Sequence, residues 1–115
     1  MSVIYKVCSI EEWNKATKKG IYEGSEVDLE DGYIHLSNKK QLKETVSKHF
    51  FGQERLVLIT LSTKNLKDKL KWEISRNGEY FPHYYGNIET KFFNEIFNLV
   101  PRYDGFHEFP KNFFS

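Results

Sequence analysis

Three observations in the sequence predict an α+β fold. Strand patterns and helix patterns both occur along the chain, the aromatic content is high, and no linker or low-complexity segment interrupts the 115 residues. Phe, Tyr and Trp make up 17% of the chain, and these rings bury large apolar areas with few rotatable bonds. A chain of this length can therefore build a core. We expect a single compact domain over residues 1–115, and the aromatic content excludes an intrinsically disordered chain.

The N-terminal segment predicts a strand followed by a helix. Residues 3–7 are rich in β-branched and aromatic side chains, which is typical of a strand. Ser9 and Glu12 have the spacing of a capping box, in which each side chain satisfies a free backbone amide at the start of a helix. Gly20 then predicts the end of that helix.

A second strand and helix are predicted over residues 33–51. Alternation places Ile34 and Leu36 on one face of the strand, and it places three polar or aromatic side chains on the other face, namely Tyr33, His35 and Ser37. Asn38 and Gln41 repeat the capping-box spacing and begin a helix that extends roughly to Phe51. We therefore expect two helices in the whole fold.

The remaining elements are predicted to be strands. Residues 56–61 are almost continuously apolar, as in a central strand covered on both faces. Residues 70–74 alternate, and Asn77-Gly78 is a strong turn signal. Residues 92–100 are ambiguous, because their apolar spacing fits a helix, whereas a strand would place Phe93, Phe97 and Leu99 on one face. The β-propensity of Phe and Ile favours the strand.

Composition and charge exclude several classes of protein. The net charge of +1 argues against a nucleic-acid binder. No apolar stretch is long enough to span a membrane, the N-terminus has no signal region, and Cys8 has no cysteine with which to pair, so we expect a cytoplasmic protein. No glycine-rich phosphate loop and no metal-ligand spacing occur, and we expect no metal site.

Two histidine segments are the candidate site. His35 and Ser37 share a strand face, about 7 Å apart, although a half-buried His bonded to a backbone carbonyl is the alternative. Pro82 stiffens the segment that presents His83, which favours a recognition loop. The alternative there is that Phe81 and Tyr85 fill the core while His83 caps a strand end.

Glu73 is the third candidate for chemistry. If its strand face lines a cleft with His35 and His83, the set supplies a carboxylate and two imidazoles, which suit general acid–base catalysis or stabilisation of a developing cation. If not, Glu73 lies on a solvated face.

The aromatic residues divide into two groups. Five are expected in the core: Trp13, Phe50, Trp72, Phe93 and Phe97. Four tyrosines gather around the histidine segments and are expected to point away from the core: Tyr22, Tyr33, Tyr84 and Tyr85. The tyrosines thus predict where a ligand would bind.

The ordered motifs together resemble the domain of unknown function 952 family of small, mostly bacterial proteins. The match covers nearly the whole chain and runs from Ile4-Tyr5-Lys6 through the segment 32–37, Gly-Tyr-Ile-His-Leu-Ser, to Trp72-Glu73 and the segment 81–86, Phe-Pro-His-Tyr-Tyr-Gly. The segments 32–37 and 81–86 are similar to the family patterns G-F-I-H-C-S and F-P-H-x-Y-G, with Leu36 in place of the usual Cys.

This resemblance implies a fold similar to ADP-ribosyltransferases, with split mixed or antiparallel sheets around a cleft. It favours a strand over residues 91–99 and makes NAD the candidate cofactor, although no cofactor is certain. The first strand carries Tyr5-Lys6 where those enzymes have a His or Arg.

The leading hypothesis is a nucleotide-like or other polar small ligand in an aromatic cleft, with ADP-ribosyl or glycosyl transfer as the reaction. His35, Glu73 and His83 would be catalytic, and five residues would bind the substrate: Tyr22, Ser25, Tyr33, Ser37 and Tyr85. The alternative is a non-catalytic protein-interaction module in which the two histidine motifs are structural.

Overall fold

A computed structural model describes residues 2–115. Its strands are β1 Val3–Ser9, β2 Ile21–Tyr22, β3 Ile34–His35, β4 Leu56–Ser62, β5 Leu70–Ile74, β6 Tyr80–Tyr84, β7 Ile88–Glu89, β8 Phe93–Pro101 and β9 His107–Glu108. The α-helices are α1 Ile10–Lys19, α2 Glu26–Asp31 and α3 Leu42–His49.

The strands form three antiparallel sheets. A four-stranded sheet has the order β1-β4-β8-β9, a two-stranded sheet pairs β2 with β7, and a three-stranded sheet has the order β3-β6-β5. The predicted α+β class is confirmed. The likeness to ADP-ribosyltransferases stays a prediction.

Strand β4 is buried on both faces, as its apolar run predicts. Val57 and Ile59 contribute to a core cluster that is covered by α1, while Leu56 and Leu58 contribute to a second cluster that is covered by α3 and the C-terminal phenylalanines. Two such clusters on opposite faces of one sheet bury most of the large apolar side chains of the chain.

The two predicted helices begin at their predicted caps. Ser9 Oγ accepts a hydrogen bond from the Glu12 amide, the Glu12 carboxylate accepts one from the Ser9 amide, and α1 ends at Gly20 with φ +84°. The Asn38–Gln41 capping box opens a short 3₁₀ turn that continues into α3, which ends at His49. The prediction of two helices missed α2, whose six residues lie in the acidic segment before Gly32.

The C-terminal third forms a strand, so the helical alternative is wrong. Strand β8 pairs with β4, with Leu99 buried and Phe93 and Phe97 half-buried on the inner face. A register shift occurs at Thr60, whose Oγ1 accepts a hydrogen bond from the Glu95 amide at 3.0 Å. Sheet pairing overrides helical spacing here because β4 offers this segment a long apolar partner.

Residues 34–37 join two of the sheets. His35 lies opposite His83 in the β3–β6 pair, and two residues later Ser37 exchanges backbone hydrogen bonds of 2.9 and 3.0 Å with Tyr5 of β1. The predicted strand over residues 33–37 is therefore short, because its chain passes from one sheet to the other. The histidine segments lie at this junction.

The predicted division of the aromatic residues needs three corrections. Trp72 is 43% exposed because its face of the edge strand β5 is not covered, and it is not a core residue. Tyr22 is fully buried, with an edge-on contact to Phe93, and Tyr84 packs against the same core cluster. Tyr22 is thus a core residue, and the half-buried Tyr84 packs against the core.

Within residues 2–115, no helix is long and apolar enough to cross a membrane.

Candidate functional site

The two predicted histidine segments meet in the structure. His35 and His83 are cross-strand neighbours, with ring centroids 5.6 Å apart. The Tyr33 ring stacks on His83 at 4.1 Å and 27°, and it lies 4.6 Å from the His35 ring and 5.3 Å from the Tyr85 ring. These four residues, Tyr33, His35, His83 and Tyr85, are called the His/Tyr cluster below.

Glu73 joins the cluster from β5. Its Oε1 atom lies 2.8 Å from His83 Nδ1 and accepts a hydrogen bond of 2.7 Å from the Tyr85 hydroxyl. These two hydrogen bonds lower the pKa of Glu73. The hydrogen bond between Tyr85 and Glu73 also raises the pKa of Tyr85 to about 12. Glu73 thus stays ionised, and Tyr85 stays a hydrogen-bond donor, at neutral pH.

Asp28 of α2 holds the other imidazole. Its Oδ1 lies 2.6 Å from His35 Nδ1 and accepts the His35 backbone N–H at 3.0 Å. The second ring nitrogen of His35 lies 2.9 Å from Asp31 Oδ2, one turn further along the chain. His35 is therefore held between two carboxylates, one buried and one exposed.

Asp28 forms a buried ion pair with Lys6 of β1. The Lys6 ammonium donates a hydrogen bond of 2.7 Å to Asp28 Oδ2 and another of 2.9 Å to the His35 carbonyl. The side chains of Lys6 and Asp28 are only 5% and 2% exposed. Burial acts to raise the pKa of Asp28, but the hydrogen bond from His35 and the charge of Lys6 outweigh it and hold that pKa well below its ordinary value.

Both imidazoles are thus oriented at Nδ1 by a carboxylate. In His83 this carboxylate fixes the tautomer and leaves Nε2 to exchange a proton with a ligand, whereas His35 Nε2 is already engaged by Asp31. Within the described chain, His83 Nε2 and Glu73 Oε2 have no hydrogen-bond partner. The cluster can therefore accept or donate a proton and can stabilise a positive charge beside an aromatic surface.

Three of the predicted substrate-binding residues lie outside the cluster. Tyr22 is in the core. Ser37 is buried, with its hydroxyl 3.4 Å from that of Thr45. Ser25 is the N-cap of α2, where its side chain and Asp28 form a capping box, so it positions Asp28.

Sequence reasoning missed Lys6, Asp28 and Asp31 as members of the site. A signal for Asp28 was present, because Ser25 and Asp28 have the same capping-box spacing as Ser9 and Glu12. No local pattern indicates Lys6, which reaches Asp28 only through the packing of β1 against α2.

Two cavities lie elsewhere on the surface. One, of about 770 Å³, is between α3 and the C-terminal phenylalanines, and the other, of about 300 Å³, lies beside α1 and α2. Neither is lined by the His/Tyr cluster, in which His83 is buried and a ligand would contact mainly the partly exposed His35 and Tyr85 and the half-buried Tyr33. Among residues 2–115, no three His, Cys, Asp or Glu side chains are arranged to hold a metal ion.

Comparisons with known proteins give a family and a fold. The family described as Protein of unknown function (DUF952) matches residues 7–95. The crystal structure of protein CC0527 from Caulobacter crescentus is 42% identical, with a TM-score of 0.90 over 93% of this chain and 94% of that one. The solution NMR structure of CC0527 is 43% identical, with a TM-score of 0.82 over 92% and 91% of the two chains. No curated protein matches the chain. Since the match covers most of its length, the chain belongs to the DUF952 family.

Proposed function

We propose that the protein binds a small polar ligand with a planar ring, of the nucleotide type exemplified by NAD and ADP-ribose, against the His/Tyr cluster. The observation that carries this proposal is the Tyr33–His83 stack at 4.1 Å beside His35, with each imidazole held at Nδ1 by a carboxylate. The ring faces of the cluster that are not covered by one another offer stacking to a planar ligand, and His83 Nε2 offers a hydrogen bond to ribose or phosphate.

The rigidity of the cluster supports the proposal. His35 is fixed through Asp28, which is itself fixed by Lys6 and Ser25. His83 is fixed by Glu73. A preorganised site loses little side-chain entropy on binding, so the energy of the contacts is available for affinity.

The reaction proposed for the site is ADP-ribosyl or glycosyl transfer. The glycosidic bond between ribose C1 and nicotinamide would break, with its electron pair leaving on nicotinamide. The ionised Glu73 would stabilise the oxocarbenium-like carbon. An acceptor hydroxyl would then bond to C1 and lose its proton to His83 Nε2.

A thermal-shift titration with NAD and ADP-ribose tests binding. At a hundredfold excess over Kd, a ligand stabilises by about 2.7 kcal/mol, or roughly 10 °C for a domain of this size. We expect the shift in the wild type and in His49→Ala, a matched substitution on the exposed end of α3. The shift should be lost in His35→Ala and His83→Ala. An equal shift in all four proteins would place the ligand elsewhere.

Nicotinamide release from NAD tests the reaction separately. Chromatography should detect release by the wild type and at least about a hundredfold less by Glu73→Gln, with ADP-ribose binding retained. Binding without release would leave the ligand proposal standing and exclude the transfer step.

The alternative function is a non-catalytic interaction module. Two observations favour it: the groups of the cluster largely satisfy one another, and the cluster lies on neither cavity. No shift with any nucleotide in the titration would favour this alternative.

A further inference from the structure

The edge strand β5 has free backbone groups. Trp72 lies opposite Pro82 of β6, and Pro has no N–H, so this pair cannot exchange ladder hydrogen bonds. In an antiparallel ladder, the residues of such a pair direct their backbone groups away from the partner strand. The N–H and C=O of Trp72 and Ile74 therefore point to the open edge of the sheet.

Two hydrogen bonds at the ends of β5 show which of its residues bond to β6. The Tyr85 N–H donates to the Lys69 carbonyl at 2.9 Å, and the Ser75 N–H donates to the Glu79 carbonyl at 2.8 Å. Odd-numbered residues of the β5 segment thus bond to β6, and even-numbered ones face outward. Since β5 is the last strand of its sheet, no strand formed by residues 2–115 covers this edge.

The sequence of β5 is complementary to itself. It reads Leu-Lys-Trp-Glu-Ile over residues 70–74. In an antiparallel pairing of two copies centred on Trp72, the two Trp72 residues lie opposite each other. Lys71 of each copy then lies opposite Glu73 of the other, and Leu70 of each copy lies opposite Ile74 of the other. Opposite charges directly across a non-hydrogen-bonded pair stabilise a sheet, and like charges there destabilise it.

The outer face beside this edge is apolar. Trp72, Ile74 and Tyr80 are 43%, 64% and 54% exposed, and Ile74 pairs with Tyr80 across the β5–β6 ladder. Exposed edges are ordinarily protected by charges or proline. Here the two charges of β5 match those of a second copy, and the apolar residues would pack across the two-fold axis.

We propose that two copies of the protein associate by pairing their β5 edges about a two-fold axis at Trp72, which forms a continuous six-stranded sheet. Trp72 exchanges both of its backbone hydrogen bonds with Trp72 of the second copy, and each Ile74 N–H donates to the Leu70 carbonyl of the other copy. Lys71 of the second copy lies beside Glu73, whose Oε2 has no partner within residues 2–115. Each copy thus supplies a cation to the His/Tyr cluster of the other, whether or not that cluster binds a nucleotide.

Cross-linking tests the register. Opposite Cα atoms in a hydrogen-bonded pair are about 5.5 Å apart, which a disulfide spans. Trp72→Cys should therefore form a covalent dimer under mild oxidation. Ile74→Cys is the matched control, because its copy lies about 13 Å away along the strand. Equal cross-linking of the two variants, or none in either, would overturn the proposal. The native Cys8 is buried in both.

Analytical ultracentrifugation tests the charge pairing on the native Trp72. The wild type should show twice the 13.7 kDa mass of one chain. Lys71→Glu puts two like-charge pairs in the interface and should weaken dimerisation at least about tenfold. Lys64→Glu, an exposed lysine outside β5, should not. A monomeric wild type, or a dimer equally stable in both variants, would overturn the proposal even if the cysteine variants fail to fold.

Discussion

Asp28 accepts more hydrogen bonds than any other side chain around the His/Tyr cluster. Its donors are the Lys6 ammonium, the Ser25 amide, and the amide and ring of His35. Asp28 thereby ties β1, α2 and β3 to one carboxylate. A residue placed in this way governs the position of His35 without touching a ligand itself, so we regard it as a positioning residue.

Replacing Asp28 should destabilise the fold strongly. Asp28→Asn leaves the Lys6 ammonium buried without its counter-ion, and breaking a buried ion pair costs about 3–5 kcal/mol. Urea unfolding measures the change. The exposed Asp68→Asn is the matched control and should lie within about 0.5 kcal/mol of the wild type. A loss below about 1 kcal/mol in Asp28→Asn would mean that the pair contributes little.

The same carboxylate gives stability a definite pH dependence. The folded-state pKa of Asp28 is lower than its unfolded-state value, so its contribution is complete above the ordinary carboxyl range and is lost as the pH falls below about 4. The urea midpoint of the wild type should therefore fall below that pH. In Asp28→Asn the fall should be smaller, and an unchanged profile would contradict the assignment.

Tyr85 should ionise later than an ordinary tyrosine. Its hydrogen bond to Glu73 is the main cause that raises its pKa to about 12. The difference in absorbance at high pH between the wild type and Tyr85→Phe isolates this one phenol. In Glu73→Gln the acceptor charge is absent, so the Tyr85 transition should move down toward about 10. A transition near 10 in the wild type would show that the hydrogen bond is not formed.

At the scale of elements, two capping boxes of the same type have different consequences. Ser9 and Ser25 each cap a helix through a carboxylate three residues later. The first box leads into ten residues of amphipathic helix, which made it readable from the sequence. The second leads into only six residues, fewer than two turns, in which no repeated apolar pattern can be recognised, so α2 was not predicted.

Substitution of the two cap residues separates stability from positioning. Ser9→Ala and Ser25→Ala should each cost about 1 kcal/mol, because each leaves a helix amide without its acceptor. Only Ser25→Ala loosens Asp28, so only that variant should shift the NMR signals of the His35 ring. Equal His35 spectra in the two variants would show that the cap does not position Asp28.

The strands of the site show how far sequence patterns reach. Alternation correctly predicted that Tyr33 and His35 share a face. The recognition loop predicted around Pro82 is instead strand β6, in which His83 is buried. The prediction that Trp72 lies in the core was wrong, because alternation gives two faces of β5 but does not show which of them is covered. Of the apolar residues of β5, Leu70 packs against the core, while Trp72 and Ile74 are exposed. Glu73, on the opposite face, is the residue that contacts the cluster.

At the scale of the whole molecule, the site depends on contacts that no local pattern contains. Asp28 meets Lys6 across 22 positions, and His35 meets His83 across the β3–β6 pair. These contacts arise because residues 34–37 pass from the three-stranded sheet to the four-stranded sheet. The class of fold and most strands were predictable from hydrophobic patterns, whereas this crossing between sheets was not.

Cys8 gives a readout of the opening of the whole molecule. It is buried on β1 in the core cluster beneath α1, and burial is the main cause that raises the pKa of its thiol to about 12. The thiolate is the reactive form, so a thiol reagent should label Cys8 only when the core opens. Labelling of the native wild type should be slow, and labelling in urea should be fast.

If opening is global, the labelling rate must follow the free energy of unfolding. Where closing is faster than labelling, the rate is proportional to the open population, and each 1.36 kcal/mol changes it tenfold. A loss of about 3 kcal/mol in Asp28→Asn should therefore accelerate labelling about 150-fold at neutral pH, while Asp68→Asn labels like the wild type. Asp28 lies on α2 and Cys8 on β1. A labelling rate that rises by the factor expected from the stability lost in urea would therefore show that the site and the core unfold as one unit. Rapid labelling of the wild type would show instead that β1 opens locally. The same conclusion would follow if Asp28→Asn lost stability in urea but were labelled at the wild-type rate.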